Sequence, residues 1–267
     1  MTNQDYIRKI YDEIIYAQYD VDEFELLSKC REIWINQVKI HSINSEINNI
    51  LDFSVGTGEG LIECQKIFPK AKLYGIDISE KMIDIARKKI ELEAFHDDAT
   101  NIEKYLEENT INLALIHFMM AYVEPEIIIS KASKILTSGG LCSIATSTLG
   151  SFKNLQILAN IGNLINKFYG FSKISTDDNV KIPKNEKKLE SLLEKYGFAI
   201  IDQEICEEKV KFTDLYHVHN WGVNSGWLTQ ILAPITKVQL DKANFFLKYF
   251  FPLEDTFKSA IILAQKQ

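Results

Sequence analysis

The sequence predicts an α/β protein built on a doubly wound, mostly parallel sheet of seven strands. Three observations support this. Short runs apolar on both faces alternate with helical patterns through the first half of the chain. Strands buried on both faces belong to parallel sheets covered by helices. The first run leads into the glycine turn Gly56-Thr57-Gly58-Glu59-Gly60, just ahead of a helical pattern, and sheets of this type bind ligands at the carboxyl ends of their strands.

The elements follow in order. Residues 5–40 read as helix, with Tyr6, Ile10, Ile14 and Ala17, then Phe24, Leu27, Ile33, Trp34 and Val38, at helical spacing. Ile50 to Val55 is the first strand, 59–68 a helix closed by Pro69, and Leu73 to Asp77 the second strand. Ser79 caps a helix over 80–92, with Glu80 in its first turn as the helix dipole prefers. Glu93 to His96 is a weak third strand and Ile111 to Phe118 a fourth. A helix over 125–136 stops at Ser138-Gly139-Gly140, a C-cap signal, before a fifth strand, Leu141 to Thr146. The second half is less regular: helices over 151–170 and 184–196, strands at Phe198 to Cys206 and Phe257 to Ala264, and between them an aromatic stretch, 213–252, without a strand pattern.

Composition narrows the function. A chain of 267 residues buries enough surface to fold without disulfides or a metal. Its net charge of −7 disfavours general nucleic-acid binding. The basic clusters Arg87-Lys88-Lys89 and Lys187-Lys188 lie in helical patterns beside acids and read as solvated faces. Cys30, Cys64, Cys142 and Cys206 form no metal-ligand spacing and suit a reducing compartment. The polar start predicts no signal peptide, and the lack of a long apolar run predicts no membrane span. The expectation is a soluble, cytoplasmic protein without a nucleic-acid or membrane partner.

The glycine turn admits two ligand classes. A dinucleotide site has Gly-x-Gly-x-x-Gly, but here the glycines are 56, 58 and 60, so the third comes one residue early. Asp52, in the strand leading into the turn, would repel a pyrophosphate and suits a ligand carrying an ammonium group and no phosphate, such as S-adenosylmethionine. Asp77, 21 residues after Gly56, is placed to accept both ribose hydroxyls of an adenosine, which either class carries.

With those residues in place, LDFSVGTG, YGIDIS, HDDA and SKILTSGGLCSIAT, in that order over about residues 45–148, resemble the class I S-adenosylmethionine-dependent methyltransferase family. The resemblance implies the Rossmann-like fold of that family and residue roles within it. Gly56, Thr57 and Gly58 would pass under the methionine part and the ribose, and Asp52 would serve the ammonium. Asp77 would hold the ribose, Ile78 and Met82 would flank the adenine, and Asp98 would accept from the adenine amino group with the Ala99 N–H at the ring edge. His117 and its neighbours would sit beside the sulfonium. Ser54, Tyr19 and Tyr122 complete the expected cofactor side. Two positions depart from the family: Ser54 stands where glycine is usual, and Asn112 where aspartate is common.

The implied organisation is one domain over 1–267, with a helical cover (1–44), a cofactor-binding half (45–150) and acceptor-side insertions (151–183 and 211–252). The expected reaction is methyl transfer to an oxygen or nitrogen of a small molecule. His117-Phe118-Met119-Met120 lacks the Asn/Asp-Pro-Pro-Tyr turn of enzymes that methylate nucleobase or amide nitrogens. His117 is either a base or a pocket-lining residue. In the aromatic insertion, His217, His219 or Trp227 is expected to act as a lid over the acceptor, with Tyr216, Trp221 and the cover residues Tyr11 and Tyr16 lining its site; an aromatic packing cluster is the competing reading. His217 and His219 would suit a metal pair if they lay on a strand, but no third ligand is near and no metal is expected. Phe168, Tyr169 and Phe171 read as core. The same fold acting on protein or RNA, or a non-catalytic binding module using the apolar 151–171 stretch as an interface, is the alternative. The sequence leaves the oligomeric state open.

Overall fold

The structure, a computed structural model, describes residues 3–43, 45–169, 181–183, 185–233 and 235–267, with the side chains of residues 3, 162–169, 230 and 231 outside the description. The side chains of Phe168 and Tyr169, and all of Phe171, therefore lie outside it.

The chain opens with α1 (Asn3–Ile10), a π-helical turn (Tyr11–Ile15) and α2 (Leu26–His41). The alternating half follows: β1 (Asn49–Asp52), α3 (Glu59–Ile67), β2 (Lys72–Asp77), α4 (Glu80–Lys89), β3 (Glu93–His96), β4 (Ile111–His117), α5 (Pro125–Ile135) and β5 (Leu136–Ser147). Then come α6 (Lys153–Tyr169), α7 (Glu186–Lys195), β6 (Phe198–Phe212), α8 (Leu215–Asn224), α9 (Thr229–Leu232), α10 (Lys237–Leu247) and β7 (Leu253–Lys266). The sheet order is β3-β2-β1-β4-β5-β7-β6, parallel except that β7 runs antiparallel to both neighbours. This is a Rossmann-like α/β fold, as the patterning predicts. No helix among the described residues is long and apolar enough to cross a membrane.

Alternation along β4 shows the double winding. Leu113 and Leu115 join the core with Leu26, Trp34 and Val38 of α2 and Leu61 of α3. Ala114 and Ile116 join the opposite core with Ile128, Ile129 and Ala132 of α5 and Leu189 and Leu193 of α7. Successive side chains of a strand face opposite ways, so a strand inside such a sheet must be apolar throughout.

Three boundaries differ from the patterning. The N-terminal helix is broken over residues 16–25, because Asp22 accepts from the Ser28 N–H at 2.7 Å and its hydroxyl at 2.8 Å, an alternative to continued helix. The α5 helix ends without the glycine cap: Leu136 is already extended and pairs with Ile111. The next β5 pairing is Leu141 with Leu113, so Thr137 to Gly140 bulge out of the ladder, with Gly139 at φ +77°. Strands β6 and β7 are longer than expected and pair out to Phe212 with Leu253. The aromatic stretch is thus a helical excursion, α8 to α10, at the tip of a long hairpin.

Candidate active site

Site geometry begins at the carboxyl ends of the parallel strands. Gly56 (φ +51°) directs its N–H to Asp77 Oδ2 at 2.8 Å, and the Ser79 N–H reaches Asp77 Oδ1 at 2.9 Å. Burial pushes the Asp77 carboxyl upward, opposed by those two hydrogen bonds. Gly58 (φ +89°) lies against α4, where a Cβ would stand 3.2 Å from that of Ala86. Ser79 caps α4 by accepting from the Met82 N–H at 3.2 Å, as expected from the sequence.

A cavity of about 100 Å³ lies over these ends. Its floor is Phe53, Ser54, Gly56, Asp77 and Ile78. Asp98 and Ala99 after β3 close one end, and His117, Phe118, Met119, Tyr122 and Val123 after β4 form a wall. Gln4, Ile7, Tyr11 and Tyr19 of the N-terminal segment cover it. The carboxylates of Asp77 and Asp98 are the charged groups of this lining.

The cover is held at several points. Gln4 Nε2 donates to Asp98 Oδ2 at 2.5 Å and Arg8 Nε to the Ile78 carbonyl at 3.3 Å. Asp12 accepts from the Ser79 hydroxyl at 2.6 Å, and Asp20 from the Thr57 hydroxyl at 2.6 Å and Lys89 Nζ at 2.7 Å. The Tyr122 hydroxyl donates to the Gly226 carbonyl at 3.0 Å and stands 3.0 Å from that of Tyr11. Burial raises the pKa of Tyr11, Tyr19 and Tyr122, so all three are neutral phenols.

His117 lines the cavity at the end of β4. Its Nε2 is 3.0 Å from Ser143 Oγ and its ring 4.8 Å from that of Trp34. Burial, helped by the Arg31 charge, lowers its pKa to about 3, so the imidazole is neutral. Ser54, where the family usually has glycine, donates its hydroxyl to the His117 carbonyl at 3.0 Å and so ties the ends of β1 and β4 together. Phe118 adopts φ +54°, a left-handed conformation unusual for a bulky residue.

The structure brings together Tyr11, Tyr19, Ser54, Gly56, Asp77, Ile78, Asp98, Ala99, His117 and Tyr122. It places other expected residues elsewhere. Asp52 lies beneath the glycine turn, accepting from the Ser54 N–H at 3.0 Å, with burial raising its pKa to about 7. A Cβ at Gly60 would come within 3.0 Å of Asp52 Oδ2, so that glycine makes room for the carboxylate. Thr57 is buried against the cover, Gly58 against α4, and Met82 packs with Ile10 and Ile15. Tyr16 is exposed.

None of the described residues of the aromatic insertion is among those that line the cavity. His217 and His219 sit on helix α8, where residues two apart face different directions, so they do not converge on a metal. His217 Nε2 meets Glu23 at 2.8 Å and its ring stacks on Phe24, and the Nε2 of His219 is buried without a partner. Tyr216 bonds Asp241 at 2.8 Å. Trp221 packs among Phe24, Phe152 and Phe212, and Trp227 between Phe118 and Phe257. The packing reading describes these contacts; Trp227 packs on Phe118, which lines the cavity. Among the described residues, no group of three or more His, Cys, Asp or Glu is placed to hold a metal ion.

Sequence reasoning named Phe118 and Met119 only as neighbours of His117 and missed Gln4, Ile7, Phe53 and Val123. The rule that ligands sit beyond the strand ends points to 118–123 after β4. Gln4 and Ile7 carry no such signal, because only the fold of the cover brings them here.

The glycine turn and the acid-ended second strand of this sheet lie in the part of the chain that matches a known family. Residues 50–140 match the family model described as a methyltransferase domain. A demethylmenaquinone methyltransferase of Symbiobacterium thermophilum is 26% identical over 95 residues, covering 35% of this chain and 38% of that protein. The geranyl diphosphate C-methyltransferase of Streptomyces coelicolor A3(2), solved with Mg2+, geranyl diphosphate and S-adenosyl-L-homocysteine, aligns over 100% of this chain and 99% of its own, with a TM-score of 0.59 and 11% identity. The [4+2]-cyclase SpnF aligns over 88% of this chain and 81% of its own, with a TM-score of 0.54 and 16% identity. At these identities the structural likenesses establish the fold.

Proposed function

We propose that the protein binds S-adenosylmethionine in this cavity and transfers its methyl group to an oxygen or nitrogen of a small molecule. One observation carries the reading: a glycine turn whose adjoining cavity, among the described residues, is charged only by two carboxylates, Asp77 and Asp98. That lining suits a cationic nucleoside and opposes a phosphorylated one. The names of the demethylmenaquinone and geranyl diphosphate enzymes support methyl transfer to a small molecule.

The cofactor would supply a methyl carbon already activated by a sulfonium. This chain's residues would then bind, align and exclude water. In this reading Asp77 holds the ribose hydroxyls, Asp98 accepts from the adenine amino group, and Met119 and Val123 pack beside the base. Tyr11, Tyr122 and Phe118 bound the reacting end. His117, neutral across the physiological range, serves there as a hydrogen-bonding group and as a weak base at most.

Calorimetric titration tests the site. S-adenosylmethionine and S-adenosylhomocysteine should bind and NADH should not. Asp77→Ala should weaken S-adenosylhomocysteine binding by about 1.5–3 kcal/mol, the scale of a hydrogen bond to a charged group. Binding of NADH in preference, or an unchanged affinity in Asp77→Ala, would sink the reading. Release of S-adenosylhomocysteine during incubation with a panel of hydroxyl- and amine-bearing acceptors reports the reaction itself.

A further inference from the structure

Ser143 interrupts an otherwise apolar face of β5. Its neighbours on that face, Leu141 and Ala145, belong to the core beneath α2, and Ser143 is fully buried between them. A buried hydroxyl costs free energy unless it is hydrogen-bonded. Among the described residues the Ser143 hydroxyl has one hydrogen-bond partner, Nε2 of His117 at 3.0 Å on the adjacent strand β4. The Trp34 ring, 4.8 Å away, packs on the imidazole from α2.

Counting protons fixes the direction of this bond. The imidazole is neutral and carries a single ring proton. With that proton on Nε2, the Ser143 proton would be buried without an acceptor. With the hydroxyl donating to a bare Nε2, both groups are satisfied and the ring proton lies on Nδ1. Nδ1 has no protein partner among the described residues, so its N–H is the group left for a ligand in the cavity that His117 lines.

We infer that Ser143 is a positioning residue: it holds His117 as the Nδ1–H tautomer, a hydrogen-bond donor to the acceptor, and occupies the lone pair that a base would need. The inference rests on the proposed methyl transfer and narrows its acceptor to a weakly acidic hydroxyl, a phenol or enol, that reacts as its anion. A donor beside that oxygen favours the ionised form. The oxygen's electron pair makes the new O–C bond and the C–S pair stays with sulfur. The anion and sulfonium charges cancel, and no proton is left for the protein to remove.

Nitrogen-15 spectra of histidine-labelled protein distinguish protonated from bare ring nitrogens. The His117 signals, assigned by their loss in His117→Asn, should show a proton on Nδ1 and a bare Nε2 at pH 7, with and without S-adenosylhomocysteine. Ser143→Ala should lose the single tautomer, and Ser143→Thr, which keeps the hydroxyl, should retain it. Thermal melting of each variant checks that the fold survives; if Ser143→Ala does not fold, the wild-type spectrum decides. A proton on Nε2 in the wild-type protein, or an undisturbed tautomer in Ser143→Ala, overturns the role of Ser143 and leaves the nucleoside site standing. S-adenosylhomocysteine release with phenols or enols and none with aliphatic alcohols is the expected selectivity. Turnover of an aliphatic alcohol, whose proton needs a base, overturns the acceptor class. Failure of S-adenosylhomocysteine to bind, beside an intact Nδ1–H signature, overturns the reading beneath instead.

Discussion

Asp52 and His117 are two buried titratable groups whose effects on stability run in opposite directions. Burial raises the Asp52 carboxyl from 3.8 to about 7, so between those values the folded protein holds a proton that the unfolded chain releases. Its contribution is fully present below pH 3.8 and is lost as the pH rises through 7, at up to about 1.4 kcal/mol per unit. His117 is lowered from 6.5 to about 3, so it disfavours the folded state in acid and is silent above 6.5. Asp52→Asn keeps an oxygen for the Ser54 N–H and removes the ionisation. Its melting temperature relative to wild type should therefore rise between pH 5 and pH 8. An equal difference at both pH values would show that Asp52 is ionised throughout.

The N-terminal cover is the element that packs across the strand ends. It lines one side of the cavity of about 100 Å³, through Gln4, Ile7, Tyr11 and Tyr19, so its release is expected to speed the entry of a nucleoside. Its anchors are polar and lie at its margins: Asp12 on Ser79 and Asp20 on Thr57 and Lys89. Its break at residues 16–25 and the π-helical turn Tyr11–Ile15 separate it from α2. Asp20→Ala removes two anchors without touching the cavity lining. Stopped-flow mixing should show faster association of S-adenosylhomocysteine, and limited proteolysis should cut the segment before α2 sooner. Unchanged rates in both would mean that the cover is not held at this margin. Ser79→Ala tests the neighbouring element: losing the α4 cap and the Asp12 bond together should cost about 1–2 kcal/mol in a denaturant titration.

Across the whole molecule, the β6–β7 hairpin carries its helical excursion back onto the α2 side of the sheet. Trp221, Phe212, Phe152 and Phe24 form the joint, and Gly222 allows it, since a Cβ there would stand 2.7 Å from Leu232. Trp221 is 6% exposed, so Trp221→Ala should destabilise the protein by about 3–5 kcal/mol, the scale for emptying a buried aromatic site. Urea titration measures it, and 5′-methylthioadenosine affinity under folding conditions should stay within about twofold, because Trp221 lies away from the cavity. A lost affinity with intact stability would return Trp221 to the binding site.

The alternating half was legible because its determinants are local. Buried strands show their doubly apolar runs, glycines mark the turn after β1, and Ser79 marks the start of α4, each independent of distant residues. Asp77 was legible from its place at the end of the second strand, whereas Asp98 and His117 came only through the family resemblance of their motifs. What the chain order could not supply was direction and contact across long separations. Whether Asp52 faces a ligand or lies under the turn depends on Gly60 and Ser54 in three dimensions. Whether two histidines in the aromatic stretch meet depends on its being helix rather than strand. Gln4 reaches Asp98, 94 residues away, only because the cover folds across the sheet. Sequence alone determined the class of fold and the strand ends that bear its chemistry. Tertiary packing decided which side chains enclose the cavity, since closure sums contacts that no local pattern encodes.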